Sequence, residues 1–258
     1  MKYDISICIA GHRNYLWEVL YESIENAVGD YTWELIMVGP NKPTHFFDDK
    51  LNFKFLKDFG TPSRCGQIAA LLCEGELVLN AVDDGLFVKD SLKKCIELKR
   101  QFKKEDIVIA RYTEGHDFTG PEHGPEYWHV KYYPDLLQLG IPSNYYMVIM
   151  GVYDTEYFRE LGGFDCVGYE HLNMNLHDLA FRAQRNGSNV HFSPTLVMNN
   201  NWNPGTEEHK PVGEAHVQND YPHFTREMSK DQTNRIKIDF FNWTKTDKVW
   251  KRRFGNLK

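Results

Sequence analysis

The chain has no run of about 18 apolar residues that could span a bilayer, and nothing near Met1 combines a basic leader with an apolar signal core. Its five cysteines, Cys8, Cys65, Cys73, Cys95 and Cys166, are odd in number and form no C-x-x-C pair. That spacing builds neither a zinc site nor a disulfide framework, and thiols set inside apolar runs read as reduced and buried. A cationic excess is missing too: 30 Lys and Arg against 36 Asp and Glu leave a formal net charge of -6. Nucleic-acid capture, which rests on clustered Lys and Arg, is therefore not expected. These absences point to a cytoplasmic protein, with peripheral membrane contact left open by one basic stretch, Lys245 to Lys258 (KTDKVWKRRFGNLK). In that stretch Trp250 and Phe254 either dock on the body of the protein or meet an anionic surface.

What is present is a strand and helix rhythm. Tyr3 to Ala10, Trp33 to Val38, Phe53 to Leu56 and the run ending at Val82 read as strands. Between and after them, Tyr15 to Val28, Ser63 to Cys73 and a segment from Asp90 to Phe102 carry apolar residues at helical spacing, with Ser63 and Asp90 as N-cap candidates. Asp106 to Ala110 resumes as strand. Short β-α-β connections of this kind imply a mostly parallel sheet wound by helices. From Tyr112 to Asn144 no period is sustained, and the Gly, Pro, His and aromatic content suits a lid or acceptor-binding wall. Tyr145 to Val152 reads as a strand, Gly162 to Asp165 (GGFD) as a tight corner, Leu176 to Arg185 as a helix stopped by Asn186-Gly187, and Asn189 to Phe192 as a last strand. Beyond Pro194 a mostly helical appendage is expected.

The chemistry concentrates at Glu76 to Phe87 (ELVLNAVDDGLF), where a buried strand ends in Asp83 and Asp84. Paired carboxylates at the carboxyl end of a strand lie where open α/β sheets bind ligands, and they suit hard cations such as Mg²⁺ or Mn²⁺. Taken alone, Asp-Asp-Gly also reads as a polar turn leaving a strand.

Four segments in order, ISICIAGHRN (Ile5 to Asn14), WELIMVG (Trp33 to Gly39), GELVLNAVDDGLFVKDSL (Gly75 to Leu92), and LGGFD with HDLAFRAQRNG (Leu161 to Gly187), resemble family 2 glycosyltransferases. The resemblance implies a GT-A type, Rossmann-like fold: a mixed, mostly parallel sheet flanked by helices over residues 1–195, with a C-terminal, mainly helical appendage over 196–258. It divides the first unit into a nucleotide-sugar half, 1–105, and an acceptor half, 106–195. It implies that Ala10, Gly11 and Arg13 line the base and ribose pocket, that Arg64 reaches a phosphate or the donor sugar, and that Asp83 contacts ribose or sugar. The family's Asp-x-Asp falls on Val82-Asp83-Asp84, so Asp84 is the implied ligand of Mn²⁺ or Mg²⁺. The family's Glu-Asp pair, whose Asp is the general base, is matched here to His177-Asp178, so Asp178 is the implied base. Where the family places an acid for the nucleobase, this chain has Gly39-Pro40-Asn41, with Asn41 or backbone groups left to read the base.

The implied activity is metal-dependent, inverting transfer of a sugar from a nucleoside diphosphate to a glycan or to a lipid-linked or small acceptor. Tyr127, Trp128, Tyr132 and Tyr133 would stack on sugar rings. The changed positions Gly39, Val82 and His177 keep a second reading open, a non-catalytic nucleotide or carbohydrate binder. A nucleotidyltransferase is disfavoured, because no glycine-rich, Arg-Lys-bearing loop follows the first strand. The eleven histidines show no H-x-x-x-H zinc spacing. His209 is the one considered as an extra ligand beside the diphosphate.

Overall fold

A computed structural model describes residues 2–114, 145–200, 207, 209–229 and 235–254. Strands β1 (Tyr3–Ala10), β2 (Trp33–Gly39), β3 (Phe53–Lys57), β4 (Gly75–Ala81), β5 (Gly85–Phe87), β6 (Ile107–Glu114), β7 (Gly151–Asp154) and β8 (Val190–Asn200) form one eight-stranded sheet in the order β3-β2-β1-β4-β7-β6-β8-β5. β1 to β4 are mutually parallel, β7 runs antiparallel to both β4 and β6, β8 is parallel to β6, and β5 is antiparallel to β8. The carboxyl ends of β1, β2, β4, β6 and β8 therefore share one edge.

Helices α1 (Trp17–Val28) and α3 (Ser91–Lys99) cover one face, and α2 (Pro62–Leu71), α4 (Thr155–Glu160) and α5 (Leu172–Arg185) the other. Strand alternation sorts the core accordingly. Ile5, Ile7, Ile9, Leu35 and Met37 pack with Trp17, Leu20 and Ile24, whereas Cys8, Ile36, Val38 and Val78 pack with Ile68, Ala69 and Leu179. Because both faces are covered, the strands are continuously apolar. All five cysteines are free and buried, and burial pushes the Cys95 thiol up to about 12.

Several local expectations shift. The N-cap of helix α2 lies two residues before Ser63: Thr61 caps it, accepting from Arg64 N–H at 3.3 Å, and Pro62 occupies the first turn. Asp90 does precede α3 but adopts φ 58° with no side-chain cap bond. Within 145–152 the strand is confined to Gly151 onward, and α5 starts at Leu172 rather than Leu176, capped by His171 Nδ1. Gly187, at φ +91°, supplies the left-handed stop after α5. The last strand does not end at Phe192. It passes through Pro194 to Asn200, tolerating proline at a register shift where Ser193 Oγ accepts from Arg111 N–H at 3.0 Å. It thus crosses residue 195.

The described residues beyond it are mainly helical: α6 (Lys210–Ala215), a π turn (His216–Asp220), α7 (Tyr221–Ser229), a short 3-10 turn (Asn242–Lys245) and α8 (Lys251–Phe254). It packs on the sheet domain. Arg64 and Gln67 of α2 donate to carbonyls of Trp243, Thr246 and Phe240, and Asn242 bonds Phe164 and Cys166. Of the two tail aromatics, Trp250 is docked at 3 % exposure, its backbone N–H donating to Phe59 O at 2.9 Å. No helix among the described residues is long and apolar enough to cross a membrane. The aromatic segment with Tyr127, Trp128, Tyr132 and Tyr133, and with His116, His123 and His129, lies outside the described residues.

Candidate active site

A cavity of about 230 Å³ opens at the shared carboxyl edge. It is lined by Ala10, Gly11 and Arg13 at and after the end of β1, Gly39 and Pro40 at and after the end of β2, Asp83 and Asp84 after β4, and residues of α5, β8 and the appendage. An apolar strand that runs straight into a polar loop delivers its first polar side chains to this rim, which is how β4 presents the two acids.

The acids divide the work. Asp83, 3 % exposed, accepts from the backbone N–H groups of His12 and Arg13 at 2.5 and 2.6 Å and pairs with the Arg13 guanidinium. It holds the loop that follows β1 and forms part of the wall. Asp84 turns its Oδ2 toward Arg13 Nη2 at 3.1 Å and toward His209 Nε2 at 3.2 Å. His209 comes from just before α6, so the appendage completes the site. A carboxylate beside an imidazole fits Mn²⁺ or Mg²⁺ when phosphate and water supply the remaining ligands. No cluster of three or more His, Cys, Asp or Glu able to hold a metal occurs among the described residues.

The glycines explain the missing acid after β2. A Cβ on Gly39 would lie 1.8 Å from the Gly11 carbonyl oxygen, and one on Gly11 2.7 Å from the Trp17 ring. No side chain of any kind fits there. Asn41 is engaged elsewhere, donating to His12 O at 2.6 Å.

Two expected site residues are not brought to the cavity. Arg64 points away, its guanidinium bonded to Asp58 at 3.2 to 3.3 Å and to the Trp243 and Thr246 carbonyls at 2.6 Å. It fastens the appendage to α2. Asp178, fully buried, gives Oδ2 to Arg182 Nε at 2.9 Å and Oδ1 to Arg235. Arg182, one turn along α5, also donates to Leu161 O at 2.6 Å and to Gly163 O, so the pair ties the helix to the GGFD corner. Both carboxylate oxygens are thus committed to guanidinium groups, away from the cavity lining, and the general-base role implied for Asp178 is not supported by its position.

Asp165 of the corner belongs to the same cluster: Oδ1 accepts from Val167 and Gly168 N–H at 3.1 and 3.0 Å, and Arg235 reaches Oδ2 at 2.8 Å. Burial raises its carboxyl, but hydrogen bonds from His223 and Gly168 and the Arg235 charge outweigh that and hold it well below the usual range. Next to Asp178, His177 is 5 % exposed, and burial depresses its imidazole to about 4.

Sequence reasoning missed His12 and His171, which also line the cavity, and the wall residues Asn80, Asn173, Asn200 and Trp250. Asn80 carries a signal in hindsight, being the polar residue inside the apolar run LVLNAV.

No family model matches the chain, and no curated protein matches it. Among solved structures it is similar to residues 1-349 of S. aureus TarS at 17% identity and TM-score 0.55, covering 90% of this chain and 73% of that one. The same segment in complex with UDP matches at 16% identity and TM-score 0.54. GalNAc-T7 with UDP, GalNAc and Mn²⁺ matches at 12% identity and TM-score 0.58, covering 95% of this chain and 56% of that one. The fold of this chain is the GT-A fold.

Proposed function

We propose that the protein is a metal-dependent glycosyltransferase that moves a sugar from a nucleoside diphosphate onto a hydroxyl of a glycan or of a lipid-linked or small acceptor. The observation that carries this reading is Asp84, paired with His209 and Arg13 in a cavity at the carboxyl edge of a GT-A sheet. The neighbours' ligands, UDP in one and UDP, GalNAc and Mn²⁺ in another, support a nucleotide sugar and a divalent cation here.

Asp84 and His209 would hold Mn²⁺ or Mg²⁺. A cation between them supplies Lewis-acid stabilisation of the charge that develops on the leaving diphosphate. Asp83 would hold the loop after β1 beside the donor by accepting from the His12 and Arg13 N–H groups, and Arg13, held between the two acids, contributes a fixed positive charge beside the anion. Gly11 and Gly39 leave backbone, not side chains, to meet the nucleoside. The inverting course implied by the family resemblance is part of the proposal, and the anomeric configuration of the first product, read by NMR, tests it.

The test of the whole reading is thermal stability against UDP, GDP, dTDP and CDP, each with Mn²⁺ or EDTA. A ligand at about a hundred times its dissociation constant adds roughly 2.7 kcal/mol. A metal-dependent shift with one nucleotide, absent in Asp84→Asn, is expected. Absence of a shift with every nucleotide would turn the reading toward a binder of other chemistry.

A further inference from the structure

All five thiols of this protein are buried, and two of them meet. Cys95 packs among apolar side chains, Cys65 donates to Asp58 Oδ1 and Gly60 O at 3.9 and 3.7 Å, and Cys166 donates to Ser63 O at 3.4 Å. Cys8 and Cys73 instead turn their Sγ atoms toward each other, 2.9 Å apart. Non-bonded heavy atoms rest at roughly 3.5–4.0 Å, and a disulfide bond measures about 2.05 Å. The two sulfurs therefore stand well inside ordinary contact, and a further approach of about 0.9 Å closes the bond.

The backbone holds them there. Cys8 lies in the middle of β1, opposite Ile36 of β2 on one side and Asn80 of β4 on the other. Cys73 follows the C-cap of α2, where Arg159 donates to its carbonyl at 2.8 Å and the next N–H, that of Glu74, donates to Glu34 Oε1 at 2.6 Å. Lys2 N–H returns to Glu74 O at 2.9 Å, and Gly75 N–H to Ser6 Oγ at 2.9 Å. The segment bearing Cys73 is thus fastened to β1. Two sulfurs held together by the fold react without the entropy cost of bringing separate thiols together.

We propose that Cys8 and Cys73 are a modification site, a dithiol that a small-molecule disulfide such as oxidised glutathione converts to an intrachain disulfide. Cys73, 5 % exposed beside the exposed Glu74, is the point of entry, since Cys8 has no exposed surface. Burial also pushes the Cys8 thiol well up, so Cys8 reacts second. Cys73 Sγ attacks one sulfur of the small disulfide, a first thiolate leaves, and a mixed disulfide forms. Cys8 Sγ then attacks Cys73 Sγ and expels the second thiolate. The protein gives up two electrons and two protons, and the reagent takes up both as two thiols. The bond closes a loop from residue 8 to residue 73 that contains β2, β3 and the cavity residues Arg13 and Gly39, so it staples the first half of the sheet. The proposal stands apart from the glycosyl-transfer reading.

The test is to equilibrate the full chain with oxidised or with reduced glutathione, both folded and during refolding from denaturant, then alkylate, digest with trypsin and analyse by mass spectrometry. Cys8 falls in the peptide Tyr3 to Arg13 and Cys73 in Cys65 to Lys89, where fragmentation tells Cys73 from Cys65. In oxidised glutathione the peptides are expected joined through Cys8 and Cys73 in at least about tenfold excess over the alkylated pair, and dithiothreitol should reverse this. The oxidised wild type should also unfold at a higher denaturant concentration than the reduced one, a difference absent from Cys8→Ala and from Cys73→Ala. Refolding exposes both thiols, so slow access through the folded surface cannot hide the bond. A bond formed only during refolding would support the site and overturn Cys73 as its entry. Alkylated Cys8 and Cys73 after oxidative refolding, a cross-link through Cys65 in place of Cys73, a lasting mixed disulfide, or a lower midpoint for the oxidised protein would each overturn the proposal.

Discussion

Asp84 faces a cavity with Arg13 at 3.1 Å and His209 at 3.2 Å, whereas Asp178 is enclosed between Arg182 and Arg235 with no exposed surface. Both acids have arginine partners. They differ in what their neighbours leave unfinished. Asp84 lines the cavity at the sheet's carboxyl edge, beside open space. Around Asp178 the guanidinium of Arg182 is consumed by Asp178, Leu161 and Gly163, and that of Arg235 by Asp178 and Asp165. A closed network rigidifies a corner, and an open one waits for a ligand.

The contrast is broken or sharpened most strongly by exchanging each acid for its amide. Asp178→Asn should cost about 3–5 kcal/mol of stability, because it strands buried arginine charge, and denaturant midpoints measure this. Asp84→Asn should leave the midpoint nearly unchanged while lowering turnover at least about a hundredfold, ~2.7 kcal/mol in the transition state. If Asp178→Asn instead kept full stability and lost turnover, Asp178 would be the base after all, and the comparison would fail.

Gly39→Ala comes next. Its Cβ would meet the Gly11 carbonyl at 1.8 Å, so the two strand ends must part. The expected loss is about 1–3 kcal/mol of stability, with weakened nucleotide binding read by titration calorimetry. His209→Ala should have a smaller effect, weakening Mn²⁺ about tenfold, ~1.4 kcal/mol, with the fold intact; the free-Mn²⁺ EPR signal reads it directly. An unchanged Mn²⁺ affinity would remove the appendage from the metal site.

The smallest effect is a slope. His177 is held neutral by burial, with its imidazole lowered to about 4 against an ordinary 6.5. As pH falls from about 6.5 toward 4 the unfolded chain binds a proton that the folded one refuses, so stability drops across that window. In His177→Leu this part of the slope should vanish; an identical pH profile in the variant would assign the acid sensitivity to other groups.

Much of the scaffold was legible beforehand. Continuous apolar runs such as ISICI and LIMV can only be strands covered on both faces, and the periodic stripes of α1 and α3 could only face them. The acids of β4 were legible for the same reason, since a buried strand that stops at Asp83-Asp84 must emerge at the sheet edge. Elements with a weak local signal were not: β5 has three residues and exists through pairing with β8, and β8 runs on through a proline that local propensity rejects.

The sequence by itself determined a mostly parallel sheet wound by helices, the position of Asp83 and Asp84 at a strand's carboxyl end, and the corner at Gly162 and Gly163, because periodicity and backbone preference act between near neighbours; the GT-A type was implied only by motif resemblance. Only the tertiary structure decided which charges are spent and which are available. Arg64 and Asp178 are consumed by partners 179 and 57 residues away, Trp243 and Arg235, and His209 reaches Asp84 across a separation of 125. Electrostatic pairing depends on distance in space, and no spacing along the chain encodes it.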